Sequence, residues 1–349
     1  MSGAKKGSPE SPGYRKLKED IKNGRPARGY VFYGEETYLR DYYASYLRKM
    51  MTDKATECFN YRVLDGGNLN MDKLESAVET PPMFSERVYI PVWDYNFWAL
   101  PENERERFTE LISDLPEYCC LVFLFDTLEY KPDHRKKKLS EAVDKNLRVV
   151  EFKRREAGDL YSWVRQKFVQ AGSDIDKERT DYLIFLCGGL MTLLEKEIEK
   201  IAARAGHRLV TKEDIDAVAV PVVEAVVFDL TDALSKNDAA QALTVLEKLF
   251  ALREEPISLL AVIGGQMRNV ALARVALEEG KKPSELAAAL GYRSDYPAKR
   301  LLDTARPLSL RTCLERVKLC AQYDLRLKTA AGKEEVMREL IMKLCLLSK

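Results

Sequence analysis

The junction Gly34-Glu-Glu-Thr-Tyr-Leu39 stands where a short apolar run, Tyr30-Val-Phe-Tyr33, hands over to a helical pattern. Phosphate chemistry is built at such junctions. In GxxxxGK[ST] the loop amides cradle the phosphates, the lysine reaches them and the hydroxyl helps hold magnesium. Here no lysine and no second glycine follow Gly34, and Glu35 and Glu36 would repel a phosphate. A second run, Leu121-Val-Phe-Leu-Phe125, ends in Asp126, where a magnesium-holding acid could stand, but Thr127 follows in place of a catalytic glutamate. Asp126 therefore reads as a strand-end cap or turn residue. The chain has the layout of a nucleotide-binding core without the residues that bind nucleotide.

Other reactive groups are as sparse. The seven cysteines (Cys58, Cys119, Cys120, Cys187, Cys313, Cys320 and Cys345) form no Cys-x-x-Cys, and the two histidines, His134 and His207, lie far apart. No zinc site is expected, and the thiols read as reduced, in keeping with a cytoplasmic protein. Cys119-Cys120 precedes the apolar run and reads as core rather than as a nucleophile. Gly-x-Ser-x-Gly, His-Glu-x-x-His and Gly-x-Gly-x-x-Gly are all missing. No catalytic, cofactor-binding or metal residue is assigned. A net charge of +1 supplies no global field toward nucleic acid or an anionic membrane. No run approaches the ~20 apolar residues of a membrane span. The basic segment Arg135-Lys-Lys-Lys138 reads either as a solvated helix face or as phosphate contacts, each of which would release counterions.

Thr80-Pro-Pro-Met-Phe-Ser-Glu-Arg87 offers a different kind of chemistry. Pro81 and Pro82 fix φ and stop the helix pattern before them, which puts Met83 and Phe84 in a stiff turn. Two readings stand. Large apolar residues are usually buried, so the pair folds back into the core. Alternatively it projects and anchors in another protein's pocket.

The elements that must position these groups fall into three parts. Residues 1–13, rich in Gly, Ser, Pro and Lys, read as a disordered extension. Residues 14–153 alternate strand and helix patterns. Strands are expected over 30–33, 60–64, 88–93, 121–125 and 148–152, with helices after 38, over 71–79 and over 134–144. Pro91 places the third strand at an edge or a bulge. Such alternation predicts a parallel α/β layer. Helical patterns then form a small group over 154–222, in which Thr211-Lys-Glu-Asp214 resembles a capping box, and a longer block over 223–349. In that block Leu314, Val317, Leu319, Ala321 and Leu325 form one expected apolar stripe, and Val336, Leu340, Ile341 and Leu344 another. Residues 284–306 mimic a DNA-reading helix-turn-helix with Lys299 and Arg300. Lacking Asn or Gln to read adenine, they read better as two helices packed around a Gly turn.

The order of several motifs resembles the delta-subunit family of the bacterial DNA polymerase III clamp loader. The resemblance rests on Tyr30 to Leu39, Phe59-Asn60 with Asp65-Gly66, and Thr80 to Arg87. It continues in Pro256-Ile-Ser-Leu-Leu260, Gln266-Met-Arg268, the Ala287 to Tyr296 turn with Lys299, and Tyr323-Asp-Leu-Arg-Leu-Lys328. It implies an AAA+-like architecture: a RecA-like α/β domain without a functional P-loop, a small helical lid and a helical collar for oligomerisation. It also implies a role without catalysis of its own, within the DNA polymerase III holoenzyme. Met83 and Phe84, on the Pro81-Pro82 turn, would insert into a pocket of the beta sliding clamp and help open it for loading onto primed DNA. The family pair is often Leu-Phe, so Met83 departs from it. ATP and magnesium would be bound by the partner gamma/tau subunits, with the delta-prime subunit completing the ring. Primer-template DNA would enter the assembled loader, with Arg135, Lys136, Lys137 and Lys138 as candidate contacts. The delta-prime subunit's Ser-Arg-Cys motif is missing here, which favours delta. The competing readings are a divergent AAA+ ATPase and a helix-turn-helix DNA-binding regulator.

Overall fold

The computed structural model describes residues 11–252 and 255–347. The chain divides into two compact units, Met1–Arg155 and Glu156–Lys349. The expected parts 154–222 and 223–349 both fall essentially within the second.

In the first unit a five-stranded sheet has the order β2-β3-β4-β1-β5, and every recorded pairing is parallel. Its strands are β1 (Gly29–Tyr33), β2 (Leu64–Asp65), β3 (Val88–Trp93), β4 (Cys119–Leu124) and β5 (Arg148–Glu151). Helices α1 (Pro12–Lys22), α2 (Thr37–Met51), α3 (Glu57–Asn60), α4 (Met71–Glu79), α5 (Glu102–Ser113) and α6 (Lys137–Asn146) surround it. β4 is buried along its whole length, as an all-apolar strand covered on both faces should be. Val31, Ile90, Leu121, Phe123 and Phe108 share one core with Met71, Leu74 and Val78 of α4.

Three sequence expectations need correction here. Residues 1–10 of the expected extension lie outside the described residues, but 11–13 are ordered: Ser11 caps α1 by accepting from the Tyr14 amide at 3.3 Å. Tyr14 and Leu17 are buried, and Tyr14 stands edge-on to Tyr43 and Phe152. The expected strand over 60–64 is mostly absent. Asn60 ends a helical turn, and β2 keeps only Leu64–Asp65. Third, β3 is neither an edge nor bulged, since it lies between β2 and β4. Val88 donates to Tyr118 and Asp94 to Leu124, on the β4 side. By alternation the Pro91 nitrogen faces β2, between the Tyr61–Tyr89 bridge and the Leu64–Val92 pair, so the bond that proline cannot donate falls in the gap of the short β2 ladder, while the pairing with β4 stays continuous.

The second unit is helical: α7 (Ala157–Gln170), α8 (Lys177–Cys187), α9 (Met191–Ala205), α10 (Lys212–Val218), α11 (Val223–Ser235), α12 (Ala239–Ala251), α13 (Pro256–Glu278), α14 (Pro283–Ala289), α15 (Asp295–Ala305), α16 (Leu310–Thr329) and α17 (Lys333–Leu346). Thr211 and Asp214 form the expected capping box on α10. Gly188, at φ 79°, ends α8 in the left-handed conformation that glycine adopts without strain. Leu230, Leu246, Ile263, Met267, Leu340 and Leu344 share one core, and Phe228, Ala298, Leu301 and Leu302 another. The stripe expected on α16 is met only in part: Val317 and Leu319 pack against the core. Leu314 and Leu325 are exposed, and Cys313, Arg316, Cys320, Tyr323 and Leu327 face inward. Arg316 sets this face. Its guanidinium donates to the carbonyls of Leu234 (2.9 Å) and Leu347 (3.4 Å), at the C-terminal ends of α11 and α17, where the helix dipole favours a cation.

Candidate protein-docking site

The turn after α4 carries Met83 and Phe84 into solvent. Phe84 is 84% exposed and Met83 48%, so the core reading of this pair is excluded. Phe84 has φ 55°, an unusual backbone for a bulky L-residue. Two side chains hold the turn, Asn60 from the last position of α3 and Arg62 from the segment between α3 and β2. Asn60 is fully buried; its Oδ1 accepts from the Met83 amide and its Nδ2 donates to the Met83 carbonyl, both at 2.8 Å. The carboxamide thus pairs with Met83 as a neighbouring strand would. Arg62 donates to the carbonyls of Ala77 (2.7 Å), Thr80 (2.7 Å), Pro81 (3.0 Å) and Phe59 (3.3 Å). It caps the C-terminal end of α4, where a cation is favoured, and continues along the proline step. Pro81 is exposed and Pro82 half-buried. Phe59 is 45% exposed and its ring lies 6.2 Å from that of Phe84 in an edge-on arrangement. Phe59, Met83 and Phe84 therefore form one apolar surface with a buried polar clasp beneath it.

At the carboxyl ends of the strands, where open parallel sheets usually receive ligands, this unit carries an arginine. The Arg40 side chain, from α2, is 3% exposed. It donates to Asp126 Oδ1 (2.7 Å), the Phe125 carbonyl (2.9 Å) and Asp41 Oδ1 (2.8 Å). It also lies 5.3 Å from the Trp93 ring centre. Asp126 is thus an ion-pair partner, in line with the strand-end reading. Asp94, which the sequence reading passed over, ends β3. Its carboxylate accepts from the amides of Asp126 (2.8 Å), Thr127 (3.1 Å) and Leu128 (3.1 Å) and from the Thr127 hydroxyl (2.6 Å). Burial raises its pKa, but these donors outweigh burial and leave it below the ordinary carboxylate value. Both acids at this edge are engaged in holding loops together.

Two sequence models of one family match the chain: DNA polymerase III, delta subunit, over residues 30–153, and the C-terminal domain of the same subunit over residues 224–344. The chain belongs to the DNA polymerase III delta-subunit family. A curated relative, DNA polymerase III subunit delta of Bacillus subtilis strain 168, is 26% identical over 336 residues, covering 93% of this chain and 94% of the relative. The probable delta subunit of Aquifex aeolicus strain VF5 is 23% identical over 281 residues, 77% of each chain. Among solved structures, the DNA clamp loader delta protein of Bacillus subtilis is similar in fold. Its TM-score is 0.53 at 23% identity, with 95% of this chain and 99% of that chain covered. The α/β-plus-helical architecture expected from the motifs is therefore the observed one.

The other candidate residues of this delta-family chain are dispersed. Arg135 is ion-paired with Asp133 (2.9 Å), and Lys136 donates to the Trp98 carbonyl. Lys137 and Lys138, at the start of α6, are exposed. Of the four, two are thus tied to the protein's own surface. In the 284–306 segment Lys299 is exposed, but Arg300 turns inward to Asp229 (3.0 Å) and to Asp232. Its guanidinium lies beside the rings of Phe185 and Phe228. The helix-turn-helix resemblance is thus a packing arrangement. Cys119 and Cys120 are buried in β4, and burial pushes the Cys119 thiol up to about 12, which suits core residues. His134 Nδ1 lies 3.2 Å from Ser140 Oγ, and His207 Nδ1 3.2 Å from the Gly172 carbonyl. Among the described residues no group of three or more His, Cys, Asp or Glu is placed to hold a metal, and no helix is long and apolar enough to cross a membrane.

Asn60 and Arg62 are the site residues that sequence reasoning missed as such. Phe59-Asn60 stood among the motif residues without a role, and no local pattern marks Arg62.

Proposed function

We propose that this chain is the clamp-opening subunit of a clamp loader, and that Met83 and Phe84 insert into an apolar pocket of the beta sliding clamp. The observation that carries the reading is a large aromatic side chain, 84% exposed, on a turn fixed by hydrogen bonds to the buried Asn60. An exposed, preordered anchor loses little entropy on docking. Burying two such side chains contributes ~3–6 kcal/mol before costs, at ~1.5–3 kcal/mol each, which is roughly 10²–10⁴ in affinity. That is enough to favour a distorted clamp if the bound shape disfavours ring closure. A ligand shifts an equilibrium only through its differential affinity for the two states.

On this reading the chain is a mechanical component. ATP and magnesium are bound by gamma/tau subunits, a delta-prime subunit completes the ring, and hydrolysis on primer-template DNA releases the closed clamp. The engagement of Arg40, Asp126 and Asp94 with one another's loops, and the acidic Gly34 to Leu39 junction, support a role without nucleotide and weigh against a divergent ATPase. The exposed Lys137 and Lys138 are the better candidates for DNA contact, ahead of Arg135 and Lys136.

The test is binding of purified beta clamp to the full chain by biosensor. Met83→Ala with Phe84→Ala is expected to reduce binding by at least ~10²-fold with an unchanged circular dichroism spectrum. Wild-type affinity in the folded double variant would sink the assignment.

A further inference from the structure

We infer that Asn60 and Arg62 are positioning residues that keep the Met83–Phe84 turn in its binding-competent shape; this rests on the docking reading above. The geometry divides the work between them. Asn60 grips Met83 itself through two hydrogen bonds, and its third, to the Thr56 carbonyl at 3.2 Å, anchors the carboxamide to the turn of α3. Arg62 fixes the approach by bridging the last turn of α4 to Pro81 and back to Phe59. Neither side chain belongs to the exposed apolar surface: Asn60 is fully buried and Arg62 half-buried.

A positive φ at Phe84 is a local cost that the surroundings must impose. The clasp is the contact that imposes it, because it pins the residue immediately before. Without it, residues 82–86 have no recorded backbone hydrogen bond of their own to hold the bend. The turn would then sample conformers in which Phe84 is not presented, and apparent affinity would fall by the fraction still competent.

A loss of this kind has a kinetic signature that a lost contact does not. If the released turn exchanges quickly among conformers, fewer encounters succeed but the bound complex is unchanged. Association therefore slows while dissociation does not. Removing an anchor side chain instead speeds dissociation.

The experiment measures association and dissociation rates of the full chain with immobilised beta clamp for Asn60→Ala, Arg62→Met and Phe84→Ala. Arg62→Met keeps the aliphatic stem and covers the case in which Asn60→Ala fails to fold. Expected are association slowed about tenfold in Asn60→Ala and about threefold in Arg62→Met, with dissociation within twofold of wild type. Phe84→Ala should mainly raise the dissociation rate. Asn60→Ala placed in the Phe84→Ala background should cost much less than in wild type, because the two act on one element. Unchanged association in folded Asn60→Ala or Arg62→Met, with Phe84→Ala still weakened, overturns the clasp alone. Wild-type kinetics in Phe84→Ala overturns the docking reading itself.

Discussion

Phe84 combines two properties that stability alone would select against: an exposed aromatic ring and a left-handed backbone. Phe84→Gly separates them. With 84% of the residue exposed, little burial is lost. Release of the left-handed strain contributes ~1 kcal/mol, offset by ~0.5–1 kcal/mol of extra chain entropy in glycine. Urea titration should therefore find the variant within ~1 kcal/mol of wild type, while clamp binding is lost. A loss of several kcal/mol would mean that the ring supports the turn. The stiff turn was legible in sequence, since two prolines precede Met83-Phe84. The exposure of that pair was not, because composition favours burial of such residues. Nor was the clasp, since the partner of Met83 lies 23 residues upstream and a side-chain-to-backbone pair leaves no periodicity.

At the scale of elements, α2, β3 and β4 meet at Arg40. Its guanidinium ties the helix to the ends of two strands through Asp126, the Phe125 carbonyl and the Trp93 ring. Arg40→Met should destabilise the first unit by ~1–3 kcal/mol in denaturant titrations, through three lost hydrogen bonds whose acidic partners remain partly solvated. It should not create saturable ATP binding in equilibrium dialysis, because no lysine stands at the Gly34 junction. A second ion pair contributes to the acid response of the helical unit, beside other depressed carboxylates such as Glu339. Arg208, with the amide and hydroxyl of Thr211, holds the Asp214 carboxyl well below its ordinary 3.8. A depressed folded-state pKa contributes stability that is present above the unfolded value and lost as pH falls through the folded one. Thermal stability should therefore decline below about pH 4, and Asp214→Asn should lose stability at pH 7 but show a shallower decline toward pH 3. Equal slopes in melts of the two proteins would remove Asp214 from that response. Sequence legibility was uneven among these elements. The strands with apolar runs were readable, as was α4. α5, with its short charged pattern, was missed. The strand expected at 60–64 gave way to a helical turn over Glu57–Asn60, which leaves the isolated Tyr61–Tyr89 bridge and the two-residue β2.

On the scale of the whole molecule, the parallel sheet and the helical remainder were both readable from the change of hydrophobic period near residue 153. The inward face of α16 was readable only in part. A buried cation, Arg316, takes part of it, and hydrophobicity rules place arginine outside. The two units differ in what they are proposed to do, and that difference can be tested by dividing them. The first has its own core around β1, β3 and β4. Its ends are tied together, because Arg155 donates to the Tyr14 hydroxyl at 2.5 Å and α1 packs on Phe152 through Tyr14. The whole candidate docking element, with Asn60 and Arg62, lies inside it. A fragment of residues 11–155 should thus unfold in one cooperative transition and bind the beta clamp within about threefold of the full chain, since affinity lives in the anchor rather than in total area. The same fragment should fail to join gamma/tau and delta-prime in a reconstituted loader, if the helical block forms the collar. Clamp binding weakened by a hundredfold in a fragment that still melts cooperatively would mean that anchors outside residues 11–155 carry most of the affinity, and would move the search for them to the helical unit.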